Sequence, residues 1–251
     1  MTSEKQPFLS HLEELRRRLI VCAIAIGVGF VISYVFSKHL FSLLIHPLTK
    51  VLPAESTLIF TSLPEMFIAY LKVSLIAGII LAIPVVFYEL WMFVVPALYR
   101  REKRYVIPFV LFSSILFVAG SLFGYFIVFP YGFKFFLGFA TEDIQALPSV
   151  KQYFSFAIRL LLAFGLVFEM PVAVLFLTKI GLISPDSMKK YRKFAILGAF
   201  VLAAILTPPD VATQIMMALP IIILYEISIF ISKGVYRKDK EASKPGQSRS
   251  T

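Results

Sequence analysis

The apolar run of residues 160–178, LLLAFGLVFEMPVAVLFLT, contains a single ionisable side chain, Glu169. Nineteen residues in a helix rise about 28 Å, close to the thickness of the hydrocarbon core of a bilayer. A charged group at the centre of a spanning helix costs about 2.5–3.5 kcal/mol to insert, so such groups usually face a protein interior or a wet cavity. Two interpretations follow: a protonated side chain that closes one helix–helix hydrogen bond, or a functional site within the membrane.

The composition is typical of an integral membrane protein. Hydrophobic residues make up 59% of the 251 residues and charged residues only 16%, whereas soluble domains have about 45–50% apolar and about 25% charged residues. The first apolar run, residues 19–36, is longer than the apolar part of a secretory signal peptide and no A-x-A-like cleavage site follows it. We therefore interpret it as a retained helix. The single cysteine, Cys22, excludes an intrachain disulfide.

Six apolar segments predict an all-α, polytopic fold with six transmembrane helices. The fifth segment has only fourteen residues and rises about 21 Å, less than a hydrocarbon core of roughly 30 Å. We expect the bilayer to thin beside it. One membrane domain is predicted over residues 1–232, followed by a disordered basic cytoplasmic tail over 233–251. The predicted spans are about 19–37, 70–96, 105–131, 154–178, 194–207 and 211–232.

The lysines and arginines orient these segments. Nineteen of the 25 lie on one side of a six-span arrangement, in the N-terminal segment, the second and fourth loops and the tail. Because cytoplasmic loops carry the basic excess, both termini are predicted to be cytoplasmic. The net charge of +10 is then a topology signal and not a nucleic-acid-binding patch. We expect a multi-pass protein of the cytoplasmic (inner) membrane, in contact with the lipid bilayer.

The first outer loop, about residues 39–69, is long and still apolar. This pattern predicts short amphipathic helices that pack over the outer surface. Pro47, Pro53 and Pro64 divide the loop at positions that suit helix starts and turns.

The sequence offers little for catalysis. It contains no H-E-x-x-H metal motif, no phosphate-binding glycine loop and no G-x-S-x-G motif, and its three histidines all lie within the first 46 residues. We therefore expect a protein that is not an enzyme and that binds no cofactor and no metal.

A first acidic position inside a basic cluster is HLEELRRRL, residues 11–19. Its ordinary interpretation is helix electrostatics, because Glu13–Arg17 and Glu14–Arg18 are i,i+4 pairs worth a few tenths of a kcal/mol each.

A second is PALYRREKR, residues 96–104, where Glu102 could simply soften the repulsion among four basic neighbours. Considered together, the two clusters suggest more, since a cationic ligand would be repelled by most of this face and accepted only where carboxylates project. Two guanidinium groups could be held there by bidentate bonds that lysine cannot make. Apolar surface at Trp91, Phe93 and Val94 would then receive a hydrophobic stretch that follows the arginines.

Several strings together resemble the TatC family, the polytopic core of the twin-arginine (Sec-independent) protein translocase of bacteria, archaea and plastids. The similarity runs from about Phe8 to Ser232 in order and with matching topology, and the tail carries no family signal. The strings are HLEELRRRL, HPL at 46–48, WMFVVPALYRRE at 91–102, GYFIVFPYGF at 124–133, FGLVFEMPV at 164–172 and LTPPD at 206–210 with Gln214.

The resemblance implies six helices in a concave, glove-like bundle that acts as the receptor for signal peptides with paired arginines. It implies export of folded proteins driven by the proton-motive force, without a cofactor. The implied partners are twin-arginine signal peptides, small single-span subunits of the TatA and TatB type, and further copies of the chain in a homo-oligomeric receptor complex.

Site residues follow from the resemblance by position. Glu14 and Glu102 would hold the twin arginines, and Arg16, Phe93 and Leu98 would shape the patch around them.

A second set of positions belongs to the membrane and its outer side. Glu169 would lie in the concave face, near the place where partner subunits and the hydrophobic part of the signal insert. Gln214 and Thr207 are grouped with it as polar positions for partner docking, while Pro47 and Asp210, like Gln214, match outer-side positions associated with assembly and transport.

Two other classes of protein stay open at this point. A secondary transporter of small solutes or ions would need several polar residues at the membrane midplane and usually an internal repeat. The strings IPVVF at 83–87 and MPVAVLF at 170–176 are weak evidence for such a repeat. A purely structural scaffold would explain the helices but not the two acidic positions. The translocase receptor is the predicted function, with the transporter as the alternative.

Overall fold

Helices make up nearly all the regular structure of the computed structural model, which describes residues 5–52, 58–98, 106–139, 147–207 and 210–242. A π-helical turn, Gly124–Val128, joins α4 to α5. The α-helices are α1 (Lys5–Val35), α2 (Ser37–Thr49), α3 (Glu65–Leu98), α4 (Val106–Phe123), α5 (Phe129–Leu137), α6 (Val150–Phe168), α7 (Met170–Lys179), α8 (Pro185–Lys190), α9 (Arg192–Leu206) and α10 (Val211–Ala242).

Five helical segments within the described ranges are long and apolar enough to cross a membrane. They overlap five of the six predicted spans, which confirms an all-α, polytopic membrane fold. The remaining predicted span corresponds to α9, which has 15 residues and rises about 22 Å. The count of six spans stays a prediction. The five segments are His11–Val35, Glu65–Val94, Val106–Leu137, Val150–Lys179 and Val211–Arg237.

The chain packs as two compact units, Met1–Leu162 and Ala163–Thr251, and the boundary between them falls inside α6. In the first unit α3 is the central helix and packs against α1, α2 and α4. In the second unit α10 has this role and packs against α7, α8 and α9. The single domain expected over residues 1–232 therefore contains two groups of helices, each built around its own long helix.

Helices α1 and α3 approach each other so closely that backbone meets backbone. A Cβ atom on Gly78 would lie 2.5 Å from the amide nitrogen of Phe30, and one on Gly29 would lie 2.5 Å from the carbonyl oxygen of Gly78. Small residues allow membrane helices to pack at this short range. The crossing fixes the position of α1 along α3.

A polar cluster that we call the Glu65 clasp ties the start of α3 to the start of α6. Glu65 is only 3% exposed, and its carboxylate accepts hydrogen bonds from the amide of Thr61 at 2.8 Å, the hydroxyl of Ser149 at 2.8 Å and the amide of Lys151 at 2.6 Å. The hydroxyl of Thr61 donates a fourth bond. A single parallel β-bridge between Ile59 and Ser149 lies beside it. A buried carboxylate is thus fully hydrogen-bonded, as burial requires.

In the second unit, α7 is held to α10 by an apolar cluster and by a buried polar contact. Val174, Met188 and Ile229 pack together, each less than a tenth exposed. One turn further along α7 and α10, the hydroxyls of Thr178 and Ser232 share a hydrogen bond of 2.8 Å. These contacts hold α7 alongside α10.

Two predicted spans are interrupted where proline or a wide turn changes the hydrogen bonding. The segment predicted at 154–178 divides at Glu169, because Pro171 has no N–H to donate to the preceding turn; the amide of Glu169 bonds only three residues back, to Leu166, at 3.1 Å. In the segment predicted at 105–131, the amide of Phe129 reaches five residues back to Gly124. Such wide turns are a recognised source of helix bending.

The C-terminal helix is longer than predicted. It continues to Ala242, ten residues beyond the expected end at Ser232. The added sequence, KGVYRKDKEA, contains no proline and is rich in lysine, arginine, glutamate and alanine, which extend a helix readily once it has begun. The helix thus covers residues 233–242 of the tail for which the sequence predicts disorder, and residues 243–251 lie outside the described ranges.

Candidate functional site

The N-terminal part of α1 and the C-terminal part of α3 meet at an ionic contact that we call the α1–α3 site. Arg18 donates to Glu14 through Nε at 3.1 Å and through Nη2, and its Nη1 donates to Glu89 at 2.8 Å. The side chains of Arg18 and Glu89 are 17% and 15% exposed, whereas that of Glu14 is 43% exposed. The guanidinium of Arg18 therefore joins the less exposed carboxylate of Glu89 to the more exposed carboxylate of Glu14.

An aromatic contact extends this site by one turn of each helix. The rings of His11 and Phe93 stack with centroids 4.3 Å apart and an interplanar angle of 17°. Trp91, which we expected to offer apolar surface here, is instead only 7% exposed, and its indole N–H points toward the hydroxyl of Ser113, 3.4 Å away. Of the aromatic residues considered from the sequence, Phe93 is the one at the site.

Arg16 does not lie at the α1–α3 site. It is two residues from Glu14 and so projects from nearly the opposite face of the same helix. There it borders a shallow apolar groove of about 370 Å³ on the surface of α1. The groove is lined by Leu12, Leu15, Arg16, Leu19, Ile20 and Ala23.

The remaining predicted residues of the arginine patch are placed only in part. The Glu14–Arg18 pair is confirmed, while the described ion pairs do not include Glu13 with Arg17. Leu98 is the last residue of α3. Glu102 lies outside the described residues.

Pro47 lies inside α2, close to its C-terminal end, and not at a helix start as expected. Because proline has no N–H, the carbonyl of Leu43 loses its donor from within the helix. The hydroxyl of Tyr125 donates to this carbonyl at 2.6 Å, and the hydroxyl of Tyr153 donates to the neighbouring carbonyl of Leu44. Tyr125 thus replaces the missing helix bond, and Tyr153 adds a hydrogen bond to the next carbonyl, so that two other elements hold α2 at this proline. Pro53, the next proline of the predicted loop, lies outside the described residues.

The turn between α9 and α10 brings three of the predicted outer-side and docking residues together. Asp210 caps α10, since its carboxylate accepts the amide of Thr213 at 2.7 Å and also the hydroxyl of Thr213. Gln214 reaches from α10 to α9 and donates to the carbonyl of Phe200 at 3.1 Å. Thr207 ends α9 and is 7% exposed. All three stabilise this turn, whose residues 208–209 lie outside the described ranges.

Glu169 is placed apart from that turn, at the junction of α6 and α7. It is partly buried and precedes the first turn of α7, where its carbonyl accepts the amide of Ala173 at 2.9 Å. The carboxyl group thus belongs to a helix junction within an apolar segment, and its part in partner docking stays a prediction.

Nothing in the sequence pointed to a functional role for Glu89, Arg18 or Glu65. Glu89 and Arg18 are 71 residues apart, and only the antiparallel packing of α1 on α3 brings them together. The available signal was a charged residue within about two helical turns of the end of a predicted span, but that position does not identify its partner. Among the described residues, no cluster of His, Cys, Asp and Glu could hold a metal ion.

Comparison with known proteins identifies the family. Residues 10–220 match the family model of the Sec-independent protein translocase protein (TatC). The TatC protein of Desulforapulum autotrophicum is 57% identical over 239 residues, covering 95% of this chain and 88% of that protein. The TatC protein of Escherichia coli (strain K12) is 41% identical over 230 residues, covering 92% and 89%.

Solved structures agree with these sequence relatives. A crystal structure of the twin arginine translocase receptor TatC superposes with a TM-score of 0.81 and 46% sequence identity, covering 90% of this chain and 99% of that one. A second crystal structure of the receptor, in the detergent DDM, gives the same TM-score and identity over 88% of this chain. With its matching motifs and helical order, this chain belongs to the TatC family of Sec-independent protein translocase proteins.

Proposed function

We propose that this chain is the receptor subunit of a twin-arginine translocase, and that it binds the paired arginines of signal peptides through Glu14 and Glu102. The observation that carries the proposal is that Glu14 already holds a guanidinium group, that of Arg18. The solved relative, described as the twin arginine translocase receptor, supports the same role.

Glu14 is suited to exchange one guanidinium for another. Its side chain is 43% exposed, so an incoming arginine can reach it. Arg18 is held at the same time by Glu89, and it would keep that counter-charge when Glu14 turns to a ligand. Charge-assisted bonds between guanidinium and carboxylate are strong and directional, which favours arginine over lysine at this position.

Apolar surface lies close to this carboxylate on both helices. Phe93 is partly buried beside His11, and the groove on the other face of α1 is almost entirely apolar. We propose that Phe93 and Leu98, at the end of α3, contact the segment next to the paired arginines. Arg16 would act at the border of the groove, because its face of α1 is turned away from Glu14.

The wider arrangement is proposed from the basic residues and the family. Both termini face the cytoplasm, six helices span the membrane, and several copies form the receptor complex with single-span subunits of the TatA and TatB type. The chain catalyses no reaction and contributes to export driven by the proton-motive force. A secondary transporter is not favoured, because the chain's relatives are named as protein translocase proteins.

Glu169 is proposed as a protonated hydrogen-bond partner for a helix of another subunit. Such contacts within membranes average about 0.6 kcal/mol, with a maximum near 1.7, which suits reversible docking. Glu169→Gln should retain substantial transport, while Glu169→Ala should weaken crosslinking to the small subunits and leave precursor binding intact. Loss of all transport in the glutamine variant with docking preserved would point to proton chemistry instead.

The arginine-recognition proposal is tested by reversing the charge at each carboxylate. Glu102→Arg and Glu14→Arg should abolish binding of a twin-arginine precursor to the detergent-solubilised complex, because like charges at a desolvated contact cost several kcal/mol. Glu102→Ala should have a smaller effect. Photo-crosslinking from positions 14, 93 and 102 should capture the precursor only when its two arginines are present.

Glu13→Arg is the matched control. This neighbouring carboxylate is exposed and projects about 100° around α1 from Glu14, so its reversal changes the net charge equally at a position outside the Glu14–Arg18–Glu89 contact. Precursor binding that is unchanged by Glu102→Arg, or that is lost equally in Glu13→Arg, would show that the assignment is wrong.

A further inference from the structure

A line of polar and basic side chains runs along α6 next to α3 in the first unit. The Nζ of Lys72 on α3 donates a hydrogen bond of 3.1 Å to the hydroxyl of Ser155 on α6. Lys151 lies one turn before Ser155 and Arg159 one turn after it, so all three α6 residues share one face of the helix. Lys151 and Arg159 are exposed and Lys72 is partly buried.

This cluster carries more positive charge than the described residues around it neutralise. The ion pairs of the described residues include neither Lys72, Lys151 nor Arg159. The nearby carboxylate of Glu65 is buried and already accepts four hydrogen bonds within the Glu65 clasp. Among the described residues, three basic side chains therefore stand near a single carboxylate at the edge of apolar helices, where cations are costly unless an anion joins them.

The depth of the cluster matches the level of lipid headgroups. The segments Glu65–Val94 and Val150–Lys179 have 30 residues each, and the uninterrupted helix of Glu65–Val94 rises about 45 Å, the full thickness of a bilayer with its headgroup layers. Lys72 and Arg159 are about 10 and 14 Å from the ends of these segments at 1.5 Å per residue, a few Å below the start of the hydrocarbon. Long basic side chains at that depth extend toward the headgroups.

We propose that Lys72, Ser155 and Arg159 form a binding site for the phosphate of an anionic phospholipid, in the leaflet next to the Glu65 clasp. The guanidinium of Arg159 can bind two phosphate oxygens at once. The hydroxyl of Ser155 accepts from Lys72 and keeps its own hydrogen for a third oxygen. Lys151, nearer the end of α6, attracts the headgroup.

An anionic lipid fits this site better than a zwitterionic one, because phosphatidylcholine would bring its own cation to a cluster that already has an excess. An acidic side chain of a partner protein is the other possible counter-charge. It would have to reach an exposed arginine within the lipid-facing surface, where a phospholipid is always present at high concentration.

The test uses native mass spectrometry of the full-length protein, released from nanodiscs of phosphatidylcholine with and without phosphatidylglycerol. Wild-type protein should retain phosphatidylglycerol in preference to phosphatidylcholine, and the double variant Lys72→Gln/Arg159→Gln should bind it at least tenfold more weakly. Lys134→Gln, which removes an exposed lysine of α5 outside the cluster, should bind as wild type does. Arg159→Lys keeps the charge and should retain most of the lipid, which separates binding from folding.

Three outcomes would overturn the proposal. The first is equal retention of phosphatidylglycerol by the double variant and the wild type. The second is equal retention of both lipids by the wild type. The third concerns the thermal stability of the detergent-solubilised protein, with chloride at equal ionic strength as the reference. If inorganic phosphate stabilises the protein as much as phosphatidylglycerol does, the site binds a soluble anion and not a lipid.

Discussion

The α1–α3 crossing at Gly29 and Gly78 provides the sharpest test of how the receptor site is positioned. Carbon atoms in ordinary contact are about 3.5–4.0 Å apart, but a Cβ atom on Gly78 would lie 2.5 Å from the amide nitrogen of Phe30 and 2.7 Å from its Cα. The atoms it meets are backbone, so no side chain can rotate away. Gly78→Ala must push the two helices apart by about 1 Å.

The expected cost follows from this overlap. Forcing a methyl group into a packed interior costs about 1–3 kcal/mol, and alanine returns at most about 1 kcal/mol through its better helix propensity. At about 2–4 °C per kcal/mol for a chain of this size, the midpoint of thermal unfolding in detergent should fall by several degrees. Because α1 carries Glu14 and α3 carries Glu89, binding of a twin-arginine peptide should weaken as well.

The reactivity of Cys22 reports how tightly α1 packs against α3. This residue is the only cysteine, it is partly buried, and it lies seven residues before Gly29, on the same face of α1. A thiol-reactive fluorophore should label it at a lower temperature in Gly78→Ala than in the wild type. Gly27→Ala is the control, since a Cβ atom there meets nothing within 4 Å. Identical labelling profiles for Gly78→Ala and the wild type would refute the crossing as described.

Three further predictions concern the second unit. Thr178→Val removes the buried hydroxyl that bonds Ser232 and should destabilise this unit by about 0.6 kcal/mol, at most about 1.7, measured by chemical unfolding in detergent. Asp210→Ala should cost about 0.5–2 kcal/mol through loss of the helix cap, with Asp210→Asn close to wild type; an asparagine variant that unfolds normally but fails in transport would show a role for the charge beyond capping. Spin-label depth measurements along α9 should show headgroups displaced inward, and a bilayer of normal thickness there would contradict the thinning inferred from its length.

Much of the fold could be predicted because apolar length determines what can cross a bilayer. The five long segments can be predicted from the length of their apolar runs alone, and the resemblance to the family supported their topology. The interruptions were harder to predict. Pro171 signals a break, yet proline is tolerated in many membrane helices, so the sequence did not show that α6 would end beside Glu169. The π-helical turn before α5 has no comparable signal.

The site was predictable only where local spacing determines a contact. The pair of Glu14 with Arg18 follows from i,i+4 geometry. The contact of Arg18 with Glu89 depends on the register of two helices, which Gly29 and Gly78 set through backbone contact far from the site. Helical periodicity could have shown that Arg16 faces away from Glu14, but the resemblance placed Arg16 in the patch by its position in the matching string.

The contact of Arg18 with Glu14 suggests a reason why the proposed site would bind two arginines of a signal peptide more tightly than one. An incoming arginine that binds Glu14 displaces the guanidinium of Arg18, so one guanidinium–carboxylate contact replaces another. A single arginine therefore gains little free energy from this contact. Net affinity must then come from the second arginine, which we place at Glu102. Since Glu14 is 43% exposed, its pair with Arg18 is worth only about 0.2–1 kcal/mol.

Arg18→Gln should therefore raise the affinity of a single-arginine signal peptide by about 1.4- to 5-fold, the factor that corresponds to the 0.2–1 kcal/mol of an exposed pair. Removing any positive charge near the site also reduces the repulsion of a basic peptide, so a matched control is needed. Arg17→Gln serves as this control, because Arg17 is exposed and belongs to none of the described ion pairs. Binding of a single-arginine and of a twin-arginine peptide is measured by fluorescence anisotropy at two salt concentrations. Salt weakens the long-range attraction between the protein and a basic peptide more than it weakens the contact of an arginine with Glu14. An affinity for the single-arginine peptide that is lower in Arg18→Gln than in Arg17→Gln would mean that Arg18 builds the site and does not compete for it.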